Sequence, residues 1–313
     1  MTFVISSDQS ESRNLNRRMF MKKIVTMIAA FAALLSCQKE TPTTSLEQDQ
    51  IHFEFRLPQT KATAESFEVG DKVSLWAVEY TNEESPELQI GGNFLNGEQL
   101  TFNGSKWTGR AMYWSEKPCD FYAVYPYIEP SSVDSYLFDI ATDQNTERTD
   151  VALGGYEASD LLFAKAEAVT RTDGKVSLKF NHMMSKCIVN VIKGEKFEGE
   201  LPNDIVVHLY NTVTTADLNL ASGSLEKYAL GDRKTITMKK LSNEHFEAIV
   251  IPQNIERRTP LVEISMGGIA YLLEYSLSFR PGYQHTINLT VNTSPDQEKF
   301  EIAIDPGIED WND

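Results

Sequence analysis

The sequence predicts an all-β protein, two β-sandwich domains in tandem behind an export signal. Three observations predict it. Apolar and polar residues alternate with a period of two along most of the chain after residue 50. Apolar residues at helical spacing are scarce. Turn-forming pairs punctuate the alternating runs: Gly91-Gly92, Asn103-Gly104, Asp173-Gly174, Gly231-Asp232 and Pro281-Gly282.

The export signal comes first. Residues 24–35 read IVTMIAAFAALL, apolar or small apart from Thr26, and Arg17, Arg18, Lys22 and Lys23 precede them. A basic stretch followed by about 7–15 apolar residues is a secretory signal, too short to cross a bilayer that needs ~20. Met21 suits a start, because MKKIVTMIAAF is compact and the preceding residues add nothing a signal needs. Leu34-Leu35-Ser36-Cys37 ends the run and looks like a bacterial lipobox. Residues 1–36 therefore read as a lipoprotein signal peptide and Cys37 as the acylated first residue of the exported chain. Residues 37–50 are polar, lack apolar periodicity and read as a flexible tether. Lipid on Cys37 would hang the protein from a membrane by its end.

The strands follow. Ile51, Phe53, Phe55 and Leu57 alternate with His52, Glu54 and Arg56. Residues 73–80 (VSLWAVEY) and 121–125 are apolar on both faces, as inner strands are. Residues 160–169 (DLLFAKAEAV) are the best short helix candidate and also fit a strand. Val176, Leu178 and Phe180 alternate with Ser177 and Lys179. Tyr271, Leu273, Tyr275, Leu277 and Phe279 form a five-member apolar face, and His285, Ile287, Leu289 and Val291 line another. Phe300, Ile302 and Ile304 close the set. The charged, Gly-containing stretch at 193–202 (KGEKFEGELP) marks a boundary, which divides the chain into domains at 51–194 and 195–313.

Composition narrows the function. With 41% hydrophobic and 10% aromatic residues, the chain has ample material for a core. A formal charge of −16 argues against a nucleic-acid partner and against charge-driven binding to anionic lipid. The sequence contains no H-E-x-x-H, C-x-x-C, P-loop or G-x-S-x-G, so no enzyme, metal or cofactor is expected. His52, His182, His208, His245 and His285 are scattered, and His182 is read as a hydrogen-bonded structural residue. Asp143, Asn145 and Glu147 have calcium-loop spacing, but Arg148 and Gly154 stand where glycine and a bidentate glutamate are needed. Cys119 and Cys187 flank apolar strands and read as buried thiols, although an exported location permits a disulfide. Trp76, Trp107, Tyr113 and Trp114 are candidates for a glycan-stacking surface, or for the core.

Several segments, taken in order, resemble the fimbrillin family of Gram-negative surface fimbriae over nearly the whole exported chain. Phe67-Glu68-Val69-Gly70-Asp71-Lys72-Val73 resembles the family's F-x-x-G-D-x-(V/I), and Phe121-Tyr122-Ala123-Val124-Tyr125-Pro126-Tyr127 its F-Y-A-x-Y-P. Asp160-Leu161-Leu162-Phe163-Ala164 and the run LKFNHMMSK at 178–186 follow. The second half shows Ile251-Pro252-Gln253, the Gly282-Tyr283 approach to its strand, and a terminal Ile308-Glu309-Asp310-Trp311-Asn312-Asp313.

The resemblance implies two transthyretin-like sandwiches in a lipoprotein subunit of a fimbrium, displayed at the cell outer membrane. Its partners would be other fimbrial subunits or copies of itself, with a host protein or glycan as a further ligand. In polymerising members a trypsin-like protease cuts after a basic residue, usually Arg, and removes the first strand. The C-terminal strand of the next subunit then fills the groove by β-augmentation. Carried onto this chain, the displaced strand is Ile51, Phe53, Phe55 and Leu57, and the candidate cut sites are Lys61 and Arg56. Lys61 departs from the family's usual Arg, and Arg56 lies inside the strand, so retention of the strand by an anchored monomer stays open. Phe300, Ile302 and Ile304 suit a donor strand, and they equally suit an edge strand of the chain's own second domain pinned by Trp311. Stalk, tip and anchor roles are all open. The alternative function is a monomeric surface lipoprotein that binds a host or dietary glycan. An exported hydrolase is disfavoured by the missing motifs.

Overall fold

The computed structural model describes residues 49–58, 66–82, 84, 86–172, 174–292 and 302–312. Cys37, Lys61 and Phe300 lie outside these residues, and of Ile302 only the backbone is described. The first half of the chain runs through β1 (Phe53–Arg56), β2 (Lys72–Glu79), β3 (Leu95–Phe102), β4 (Trp107–Thr108), β5 (Cys119–Tyr125) and β6 (Tyr136–Asp139). One short helix, α1 (Gly155–Ser159), precedes β7 (Leu162–Val169), β8 (Val176–Lys179), β9 (Asn181–His182) and β10 (Ser185–Lys193). The second half adds β11 (Val206–Val213), β12 (Thr215–Asn219), β13 (Ser224–Lys227), β14 (Arg233–Thr237), β15 (Lys239–Lys240) and β16 (His245–Val250). It ends with β17 (Gln253–Ile255), β18 (Pro260–Met266), β19 (Ile269–Glu274), β20 (Leu277–Phe279), β21 (Tyr283–Val291) and β22 (Ile302–Asp310).

A six-stranded sheet in the order β4-β3-β2-β5-β7-β9 dominates the first half. Its central strands are buried on both faces, which is why β2 and β5 are apolar without alternation. Val73, Leu75, Ala77, Phe121 and Ala123 face one core, which the parallel pair β1-β8 covers with Phe53, Phe55, Val176 and Leu178. Trp76, Val78, Tyr122 and Val124 face the other way, into a second core. That core is shared with a five-stranded sheet, β15-β16-β10-β21-β22, and a four-stranded sheet, β14-β11-β18-β19. The regular structure is thus almost wholly strand, a set of stacked sheets with α1 as the helical exception among the described residues.

Two strands take places that alternation alone does not specify. The helix candidate at 160–169 is strand β7, paired with β5, because its alternate residues serve two cores: Leu162 and Ala164 face one, Phe163 the other. Strand β10, on the N-terminal side of the expected boundary at 194, sits at the centre of the five-stranded sheet between β16 and β21.

Sequence motifs acquire local reasons. Gly70 has φ +93°, a left-handed conformation that the turn from Glu68 to Asp71 requires. Asp71 closes that turn by accepting from the Glu68 N–H at 2.8 Å, and its other oxygen accepts from Arg148 Nη1 at 2.8 Å. Gln253 of the Ile-Pro-Gln stretch is buried and behaves as a spare peptide group: its Oε1 accepts from Val213 N–H and its Nε2 donates to Val213 and Ile251 carbonyls.

His285 of β21 is buried, and its Nε2 accepts from the backbone N–H of Arg280 at 3.0 Å. Burial, aided by the Arg280 charge, pushes its pKa down from 6.5 to about 4. The unfolded chain therefore takes up this proton near pH 6.5 while the folded chain resists until about pH 4, so folding stability drops as pH falls through that window. In urea titrations at stepped pH, His285→Gln is expected to remove on the order of 3 kcal/mol of the drop between those limits.

Candidate functional site

Strand β1 is a plug made of side chains. Ile51, Phe53 and Phe55 are buried, Leu57 is half-buried, and His52 and Arg56 point to solvent. Phe53 meets Phe121 edge-on at 5.7 Å between ring centroids, and Phe55 meets Trp107 at 4.9 Å and Phe180 at 5.5 Å. Phe67, just past the linker, closes on Trp107, Tyr125 and Phe180 from the other side. Burying three such side chains stabilises by roughly 5–9 kcal/mol, an upper figure because an unfolded chain is not fully extended.

The backbone of β1 is held more sparsely. It pairs in parallel with β8, in register from Phe53 with Val176 to Arg56 with Lys179. Carbonyls of His52 and Arg56 accept from Val176 N–H and Phe180 N–H, each at 2.8 Å, and Ile51 N–H donates to Met112 O at 2.8 Å. Among the described strands, β8 pairs with β1 alone. Removing β1 would therefore leave an apolar trough beside unpaired N–H and C=O groups, the arrangement that accepts an added strand.

A cavity of about 340 Å³ opens where β1 ends. Leu57, Phe67, Tyr125 and Leu162 form its apolar wall, and Asp71, Arg148, Glu157, Asp160 and Lys239 its polar one. The charges are paired within it: Arg148 with Asp71 at 2.8 Å and Lys239 with Glu157 at 2.6 Å. Burial and the nearby Asp71 carboxylate push the Tyr125 hydroxyl well above its ordinary pKa.

The C-terminal end forms a second construction. Strand β22 pairs antiparallel with β21, from Val291 with Ile302 to Tyr283 with Asp310. From residue 304 onward its side chains contribute little to the core: Ile304 is half-buried and residues 305–310 are exposed. Trp311, 1% exposed, makes the attachment. Its ring stacks on His182 at 3.5 Å and 10°, with Lys186 Nζ 5.7 Å from the ring centre. Trp311 N–H donates to Gly282 O at 2.8 Å, and the Asn312 amide accepts from His182 N–H at 2.6 Å and donates to His182 O at 3.3 Å. A Cβ at Gly282 would collide with that amide.

These placements sort the sequence expectations. Arg56 is exposed and pairs with Glu54 at 2.6 Å, inside β1 itself. His182 is buried, with Nδ1 2.9 Å from Asp160 Oδ1. Among the described residues no group of His, Cys, Asp and Glu could hold a metal; Asp143 instead caps Asn145 N–H, and Arg148 turns to Asp71. Cys119 and Cys187 are free, buried in different cores, and burial pushes their pKa values up to about 11 and about 12. Trp76 is core, and Trp107 and Trp114 lean on core, which leaves Tyr113 as the exposed member of the proposed aromatic surface. No sequence signal marks Phe180, Arg148 or Gly282 as partners of Phe55, Asp71 and Asn312, because each pair is joined only by the fold. Phe55→Ala is expected to cost about 3–5 kcal/mol in urea denaturation, whereas Ile308→Ala on the exposed face of β22 should stay within about 0.5 kcal/mol.

Known proteins resemble this arrangement. The chain matches the fimbrillin-like family model over residues 60–311. It is 28% identical over 138 residues to Fim1C of Bacteroides ovatus, described as a fimbrium tip subunit; the match covers 40% of this chain, which spans about a quarter (24%) of that curated relative's length. Among solved structures, a protein of Bacteroides uniformis assigned to cell adhesion superposes with a TM-score of 0.62 at 20% identity, covering 84% of this chain and 99% of its own. A second such protein, from Bacteroides ovatus, gives 0.64 at 17% identity over 84% and 98%. Those identities carry the fold alone; with the family match spanning most of the chain, the conclusion is that this protein belongs to the fimbrillin-like family.

Proposed function

We propose that this chain is a structural or adhesive subunit of a cell-surface fimbrium that accepts a neighbour's strand in place of its own β1. One observation carries the reading. β1 is a short strand whose buried aromatics fill the first core, whose backbone serves β8 alone among the described strands, and which leads into a polar linker. It can be exchanged as a unit without dismantling either large sheet. In this reading Cys37 carries the lipid after export to the outer membrane, residues 37–50 tether the body, and cleavage at Lys61 frees the strand. Arg56 is a poor second site, since the carbonyl that a cut there must attack accepts from Phe180 N–H and the Arg56 side chain is paired with Glu54. Two sandwich units divide the work, at 51–194 and 195–313, with β10 lent across the boundary to the second.

The C-terminal strand points to a place in the filament. The nine-residue pairing of β22 and the burial of Trp311 support a subunit that keeps this strand, so that Ile302 and Ile304 complete its own sheet. A subunit that accepts a strand and lends none ends a filament, and the match to a relative described as a tip subunit supports the same position. Its partner is then the next fimbrial subunit, with adhesion to a host protein or glycan at the free end.

The test compares residues 62–313 with residues 38–313, each mixed with a peptide or subunit carrying an alternating apolar strand. Stable complexes with the shorter form only, by size and electron microscopy, are the expected result. If both forms stay monomeric and bind a glycan array, the chain is instead a glycan-binding surface lipoprotein. The N-terminal residue of protein recovered from cells checks the cleavage at Lys61.

A further inference from the structure

We propose that the β1 slot and the C-terminal attachment are coupled through the three residues from Phe180 to His182, so that a filled slot holds β22 closed and an empty one loosens it. The idea deepens the strand-exchange reading and rests on it for its biological meaning, although the coupling itself is a property of the single chain.

The geometry is short and continuous. Phe180 N–H donates to the Arg56 carbonyl at the end of β1, and its fully buried ring lies 5.5 Å from Phe55 and 6.0 Å from Phe67. Two residues on, both backbone groups of His182 are bonded to the Asn312 amide, and its ring bears the Trp311 stack. Only Asn181 separates the two sets of contacts. A second connection runs alongside. Asp160, which orients the His182 ring through Nδ1, lines the cavity that Leu57 helps to close. Loss of β1 thus removes a backbone acceptor and an aromatic neighbour from Phe180 and opens the Asp160 side to water.

The responding element is poised to respond. From residue 304 to residue 310, β22 buries no side chain beyond the half-buried Ile304, so closure of this stretch depends on edge pairing and on Trp311. A stack at 3.5 Å and a two-bond amide fork tolerate displacements of only a few tenths of an ångström before they weaken. Coupling free energies are reciprocal, so a closed β22 also favours an occupied slot. In a fimbrium, a subunit with an empty slot would expose its C-terminal strand more often than one already joined to its neighbour.

Hydrogen exchange on the unprocessed chain tests this without any assembly. Phe55→Ala should raise exchange of β22 amides at least about fivefold relative to those of β16 and β18. Leu95→Ala, a buried change on β3 with β2, β5 and β7 between it and β9, should not. Trp311→Ala should reciprocally raise exchange in β1 and β8. Unchanged β22 protection in Phe55→Ala while β8 loses protection, or an equal rise in Leu95→Ala, overturns the proposal. If Phe55→Ala does not fold, the response of β1 and β8 to Trp311→Ala decides alone. Coupling without strand acceptance would sink the assembly reading only, and strand acceptance without coupling would sink this one only.

Discussion

Phe53 and Phe55 reach from a four-residue strand into the space bounded by Phe121, Trp107 and Phe180, and without them the first core has no lid. The constraint follows from how the six-stranded sheet is used. Its two faces serve two cores, so neither face can be left to water. The second face is covered by large sheets with many strands. Among the described strands, the first is covered by the pair β1 and β8, too small to be stable by itself, with Phe67 and Trp114 packed at the margin. Most of the hold on β1 is therefore apolar burial, which any segment with alternating large side chains can supply. That makes the strand both essential and replaceable.

Charge acts differently. The chain is strongly acidic, yet two enclosed carboxylates are paired: buried Asp71 with Arg148 and half-buried Glu247 with Lys186. Burial alone would raise the Glu247 pKa, but the Lys186 charge and hydrogen bonds from His245, Lys186 and Tyr156 outweigh it and the net shift is downward. Such pairs add little net stability once desolvation is counted, and they fix geometry instead. Arg148 locks the turn before β2 to the loop that precedes α1, and Lys186 lies over the Trp311 ring while holding Glu247 on β16. The charged groups thus set where the sheets meet, and the apolar groups set how strongly.

The C-terminal segment joins sheets that alternation would treat as separate. β22 extends the five-stranded sheet, while Asn312 seals the backbone of β9 at the edge of the six-stranded one. The side-chain amide replaces the strand that β9 lacks, a use of asparagine as a surrogate peptide group that Gln253 repeats at Val213. Sealing an edge in this way protects it against unwanted pairing.

Much of this was legible in the residues themselves. Alternation at 51–57, 176–180 and 285–291 predicts strands and their inward faces, and β1, β8 and β21 bury those residues apart from the half-buried Leu57. Unbroken apolar runs mark β2 and β5 as buried on both sides, and Gly70-Asp71 marks a turn. Period-two patterning says which way a side chain points and nothing about which strand lies beside it. The parallel pairing of β1 with β8, the placing of β10 between β16 and β21, the strand at 162–169 and the meeting of Phe55 with Phe180 and of Trp311 with His182 were therefore decided by the tertiary structure. Local sequence determines faces and turns because those depend on neighbours along the chain. Partners depend on closing long loops around a shared core, and only the folded whole selects among them.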